Sequence, residues 1–121
     1  MPAGTPYDPE NVFARIIRGE IPSTRVHEDD EFIAIRDVSP LAPTHILVMP
    51  RHAGTAAPAD LVEGDAPWVG RMVVLATAIA RAEGLDETGY RLVMNCGRDG
   101  GQSVPHLHLH ILGGRALVGL G

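Results

Sequence analysis

Apolar and polar residues recur along this chain with two different periods, and the switches between them mark out two helices and five strands. Val12, Phe13, Ile16 and Ile17 follow helical spacing. Asp8 ahead of Pro9 and Glu10 offers an N-cap, a proline at the first helical position and an acid in the first turn, and Gly19 supplies the stop. Residues 25–28 and 31–37 read as strands around a tight Asp29-Asp30 turn, with Phe32, Ala34 and Arg36 on one face and Ile33, Ile35 and Asp37 on the other. Residues 44–49 form a third strand closed by Pro50. The longest helical pattern covers 67–83, with Trp68, Met72, Leu75, Ala76 and Ile79 on one face and Gly84 at its end. Residues 90–95 are a fourth strand, 97–103 a glycine-rich loop, and 104–112 a fifth strand ending at Gly113-Gly114. This order predicts an α+β fold, a mainly antiparallel sheet with the long helix packed on it. Residues 1–8 are expected to be a flexible N-terminal segment ahead of a single domain over 9–121.

Composition narrows what such a domain does. The chain has 121 residues, 45% of them apolar, which suits one globular domain with its own core. It has no apolar run of transmembrane length and no visible secretory leader, so a cytoplasmic protein without membrane contact is expected. A formal charge of −5 argues against long nucleic acid as a partner. All ten basic residues are arginine; the missing lysine removes Schiff-base chemistry and the P-loop lysine. The single cysteine, Cys96, excludes an internal disulfide and a cysteine-rich zinc site.

The chemistry concentrates in His106-Leu107-His108-Leu109-His110. In a strand these histidines share one face while Leu107, Leu109 and Ile111 point to the other. One buried histidine is usually a satisfied polar residue, but three in alternation each need a partner, a costly way to fill a face. A metal is one use for them. Zinc takes nitrogens at ~2.0–2.1 Å, whereas His106 and His110 would stand roughly 13 Å apart along a strand. Two neighbours could share an ion if His45, His52, His27 or a carboxylate completed the set. The other use is a row with a central nucleophile. Neutral imidazole is a nitrogen nucleophile abundant at pH 7, and its second nitrogen must donate to an acceptor for the first to attack. The loop Gly97-Arg98-Asp99-Gly100-Gly101-Gln102-Ser103 just before the row brings small residues and a hydroxyl that suit a phosphate.

The stretch Gly100-Gly101-Gln102-Ser103-Val104-Pro105-His106-Leu107-His108-Leu109-His110-Ile111-Leu112-Gly113-Gly114-Arg115 resembles the signature of the histidine triad (HIT) family. Residues 13–22 resemble the first helix and turn of its HINT branch, and 37–45 the ribose-binding strand end. The resemblance implies a HIT-like five-stranded sheet with two helices, continued across a homodimer, and a nucleoside monophosphate site on each subunit. By position it implies that His108 is the nucleophile, forming a nucleotidyl-histidine intermediate. His110 and Ser103 would contact the phosphate and leaving group, with His106 and His45 as supporting histidines and Asn95, Gly101 and Gln102 as adjacent polar contacts. Asp37 would accept from the ribose hydroxyls, and Phe13, Ile16, Ile21 and Val38 would clamp the base. The implied activity is hydrolysis of purine nucleoside 5′-phosphoramidates, without metal or other cofactor. The alternatives are dinucleoside polyphosphate hydrolysis or nucleotidyl transfer, and a nucleotide-binding scaffold with vestigial turnover. Two departures stand out: Ile35 occupies a place where HINT proteins carry an aromatic residue, and the tail from Ala116 lacks that branch's Trp- and Pro-bearing ending.

Overall fold

The structure, a computed structural model, describes residues 4–120. Its elements follow the order α1 (Val12–Ile17), β1 (Arg25–Glu28), β2 (Phe32–Arg36), β3 (Thr44–Pro50), α2 (Ala66–Ala82), β4 (Tyr90–Val93) and β5 (Leu109–Gly113), with two single 3-10 turns leading into α2. The five strands make one sheet in the order β1-β2-β3-β5-β4, and every neighbouring pair is antiparallel. The α+β class, the strand count and the two helices are as the sequence predicts.

The sheet buries both faces. Ala34, Ile46, Val48, Leu107, Leu109 and Ile111 pack against Met72, Ala76, Ile79 and Ala80 of α2. On the opposite face Ile33, Ile35, Leu47 and Met49 meet Phe13 and Ile16 of α1. Each fully buried Val, Leu, Ile, Phe or Met side chain contributes roughly 1.5–3 kcal/mol. A six-residue helix has no stability of its own, so α1 is held by Phe13 and Ile16 rather than by propensity.

Most boundaries agree to within two residues, and two differ in a way that bears on the site. The N-cap of α1 is Asn11, whose side chain accepts from Ala14 N at 2.9 Å, not Asp8. Asp8 instead closes a preceding turn: its carboxylate accepts from Glu10 N and its carbonyl from Asn11 N. The second difference is in β5, which begins at Leu109 rather than at 104. Its ladder with β3 stops at Val48 opposite Leu109, because Pro50 brings no N–H and its carbonyl is taken by a side chain, His106 Nε2. Residues 104–108 therefore run on outside the ladder, tied by Leu107 N to Thr55 O. Of the N-terminal segment, residues 1–3 lie outside the described residues, while Tyr7 is hydrogen-bonded to His106.

Candidate active site

The loop before β5 is rigid for identifiable reasons. A Cβ on Gly100 would stand 2.4 Å from the Cys96 carbonyl oxygen, so only glycine fits. Gly101 sits at φ +78°, in the left-handed region. The buried Gln102 amide clamps the loop from inside: its oxygen accepts from Gly97 N at 2.9 Å, and its nitrogen donates to Ala56 O at 2.7 Å and Val104 O at 3.0 Å. Asn95 Nδ2 donates to Gly100 O at 2.7 Å. These contacts leave Ser103 exposed at the rim of a cleft.

The three histidines of the row share a side of the chain, although only His110 lies within β5. Each has a distinct set of partners, and those partners fix its tautomer. His108 Nδ1 lies 2.7 Å from the His106 carbonyl, so Nδ1 carries the proton and Nε2 is left as a lone pair. His106 Nε2 lies 2.8 Å from Pro50 O and donates to it; Nδ1 accepts from the Tyr7 hydroxyl at 2.7 Å. His45, on β3, accepts at Nδ1 from Leu41 N at 3.1 Å, which puts its proton on Nε2. That proton points to His110 Nδ1, 2.9 Å away, leaving His110 with N–H at Nε2. Arg115 holds the far end of this chain, since its Nη2 donates to Leu41 O at 2.7 Å.

Burial keeps these imidazoles neutral. Desolvation is the main cause at all four: it pushes His106 and His110 down to about 4 and lowers His108 and His45. Asp37 partly opposes it at His45, His108 and His110. The Asp37 carboxylate is 3.5 Å from His45 Nε2 and accepts from Ser39 N at 2.8 Å. Phe13 presents its edge to the His108 ring at a centroid distance of 4.8 Å, and His110 lies 5.0 Å away on the same measure.

Beside the row is a cleft of about 300 Å³. Its walls include Phe13, Ile16 and Ile21 with Ile35, Leu47 and Val104, and Asp37, Val38 and Ser103 stand at its margin. The structure thus brings together the apolar residues, the carboxylate and the hydroxyl that the sequence singled out. Asn95 and Gln102 fall instead on the loop's own bonds. Tyr7, Pro50 O and Leu41 N carry no sequence signal, two of them acting through the backbone. A second cavity of similar volume lies between Thr88–Arg91 and Arg115–Leu117, without the Phe13 wall that touches the His108 ring.

The metal alternative is testable on this geometry. Asp37, His45 and His110 offer ligand atoms within 4.8 Å of one another. Binding at His45 Nε2 requires that nitrogen to lose its proton, which moves to Nδ1 and faces the Leu41 N–H, donor against donor. The donor set does not fit a metal as it is held here. His106, hydrogen-bonded at both nitrogens, has no lone pair to add.

Comparison with known proteins agrees with this arrangement. The model of the HIT domain matches residues 18–117. A purine nucleoside phosphoramidase of Escherichia coli is 49% identical over 108 residues, covering 89% of this chain and 90% of that protein. Adenylylsulfatase HINT1 of Arabidopsis thaliana is 43% identical over 95% of this chain and 78% of its own length. Among solved structures, a HIT family hydrolase from Legionella pneumophila superposes with a TM-score of 0.86 at 45% identity, covering 88% of this chain and 95% of that one. With its sheet, its histidine row and its loop all in place, the chain belongs to the HIT domain family.

Proposed function

We propose that this protein hydrolyses purine nucleoside 5′-phosphoramidates, with His108 as the nucleophile. The observation that carries the reading is the His108 hydrogen bond to the His106 carbonyl, which leaves Nε2 unprotonated on a ring packed against Phe13 of the cleft wall. A neutral imidazole held this way needs no separate base. The apolar walls around Phe13, Ile16, Ile21 and Val38 would take the base, and Asp37 the ribose hydroxyls. Ser103 and the Nε2–H of His110 would donate to the phosphate and its leaving group, with Gly101, whose N–H donates to Arg98 O, and with Asn95 and Gln102 keeping the loop in shape.

In the first step the Nε2–P bond forms and the P–N bond breaks; the departing nitrogen takes one proton from solvent at the open side of the cleft. In the second step water attacks phosphorus, the Nε2–P bond breaks, and the proton of water returns to solvent. Similarity to the E. coli phosphoramidase supports the substrate class. The same reading includes a homodimer joined through β4. That strand is an unbulged sheet edge, while the opposite edge, β1, carries an irregularity between Arg25 and His27 and charged side chains that discourage pairing.

The test is to trap labelled nucleotide on the protein from an AMP–amine substrate and chase it with water. Wild type should form and release the adduct. His108→Ala and His108→Gly should form none and lose kcat/KM by about a thousand-fold or more. Full activity in either variant would end the assignment. Higher kcat/KM on a diadenosine polyphosphate than on AMP–amine would move the substrate class to phosphate anhydrides.

A further inference from the structure

His106 has an unusual double task. Its carbonyl receives the His108 Nδ1–H, and its ring is fully buried and bonded at both nitrogens. One of those bonds is donated by Nε2 to the Pro50 carbonyl, at the end of β3. The other comes from Tyr7, 99 residues earlier in sequence and outside the 18–117 segment that matches the family. The Tyr7 ring is also tilted against the imidazole at a centroid distance of 5.6 Å.

We propose that Tyr7 is a positioning residue for His108, acting through His106, so that the segment ahead of α1 belongs to the active site. A single bond to Pro50 O leaves the His106 ring free to rock about it; a second bond at Nδ1 fixes both the ring plane and the tautomer. The peptide carbonyl of the same residue is then held in place, and with it the direction of His108 Nε2. Without the Tyr7 hydroxyl, Nδ1 of a buried ring would lack a donor, and the cheapest relief is to shift the ring or exchange its proton. Either movement passes directly to the carbonyl that orients the nucleophile. A misdirected nucleophile costs rate rather than substrate affinity.

The proposal rests on His108 being the nucleophile, and its test has an arm that does not depend on activity. Tyr7→Phe keeps the ring and removes the hydroxyl. In the nucleotide-free, folded variant, the imidazole nitrogen shifts of His106 and the Nδ1–H proton signal of His108 should both change in NMR spectra. On AMP–amine, kcat should fall about tenfold, roughly one hydrogen bond's worth, with KM changed by no more than about twofold. Unchanged His106 and His108 signals overturn the proposal whatever the activity. Changed signals with an unchanged kcat overturn it as well, since the hydroxyl would then pin a ring that catalysis ignores. If wild type does not hydrolyse the substrate, the functional reading fails, and the NMR arm alone decides whether Tyr7 holds His106 and His108.

Discussion

Lowering the pH should destabilise this protein through His106, by an amount the structure sets. Burial lowers that imidazole from the ordinary 6.5 to about 4, so in the folded chain it stays neutral across an interval where the unfolded chain binds a proton. More protons on the unfolded state mean that stability falls as pH falls, beginning near 6.5 and ending near 4. At pH 5 the unfolded residue is about one and a half units below its titration point; at about 1.4 kcal/mol per unit the loss is about 2 kcal/mol. That is a sizeable part of the ~5–15 kcal/mol a domain has. Since other groups titrate in the same interval, the measurement should be a difference of differences. Urea unfolding of wild type and of His106→Gln, each at pH 7 and pH 5, isolates the histidine. The variant will be less stable throughout, but wild type should lose about 2 kcal/mol more than the variant between the two pH values. Parallel losses, within about 0.5 kcal/mol, would show that the ring is protonated without penalty. The full burial of the His106 ring would then be wrong.

Other consequences can be checked with the same material. The acid limb of kcat/KM should fall below pH 6.5, because His108 must be neutral to attack and burial lowers its proton affinity; a limb at or above the ordinary value contradicts this. Gly100→Ala places a methyl 2.4 Å from the Cys96 carbonyl and should cost about 1–3 kcal/mol in thermal or urea unfolding. AMP titration should show weaker binding to the shifted loop, and wild-type values on both measures would contradict the clash. Arg115→Ala frees Leu41 O from its guanidinium and loosens the Leu41–His45–His110 chain. A fall in kcat of roughly five- to tenfold is expected, about one hydrogen bond, with partial recovery in Arg115→Lys; an unaltered kcat would disconnect the tail from the site.

The face assignments were legible because they depend only on a period. Ile33 and Ile35 against Phe32 and Ala34, and the histidines against Leu107, Leu109 and Ile111, follow from alternation and from nothing else. Caps and strand limits depend on competition. Asp8-Pro9-Glu10 is a sound helix start in isolation, but Asn11 offers a competing cap three residues on, and its side chain takes the Ala14 N–H. Asn11 then caps the helix, and Asp8 is spent on a turn. Likewise, residues 104–108 have strand periodicity and no ladder, since Pro50 ends the pairing that they would need. Gln102 shows the limit for the site itself. Its place beside a phosphate loop suggests contact with ligand, yet its amide is consumed by three bonds to loop and neighbouring backbone.

The row of three histidines works because its members are not equivalent. His110 is inside the sheet, paired opposite Leu47 and Val93, and takes its tautomer from a neighbouring strand through His45. His106 lies outside the sheet and takes its tautomer from Tyr7 and Pro50. His108 stands between a fixed ladder and a fixed loop, and its own ring donates one bond, to the backbone carbonyl two residues back. That single bond is sufficient only if the backbone cannot slip. A slip of one residue would carry Leu107, Leu109 and Ile111 out of the α2 core and the histidines into it, exchanging both faces at once. The leucines thus hold the register that the histidines need. The alternation noticed first in the sequence is therefore both the core and the site, seen from opposite sides of one strand and its extension.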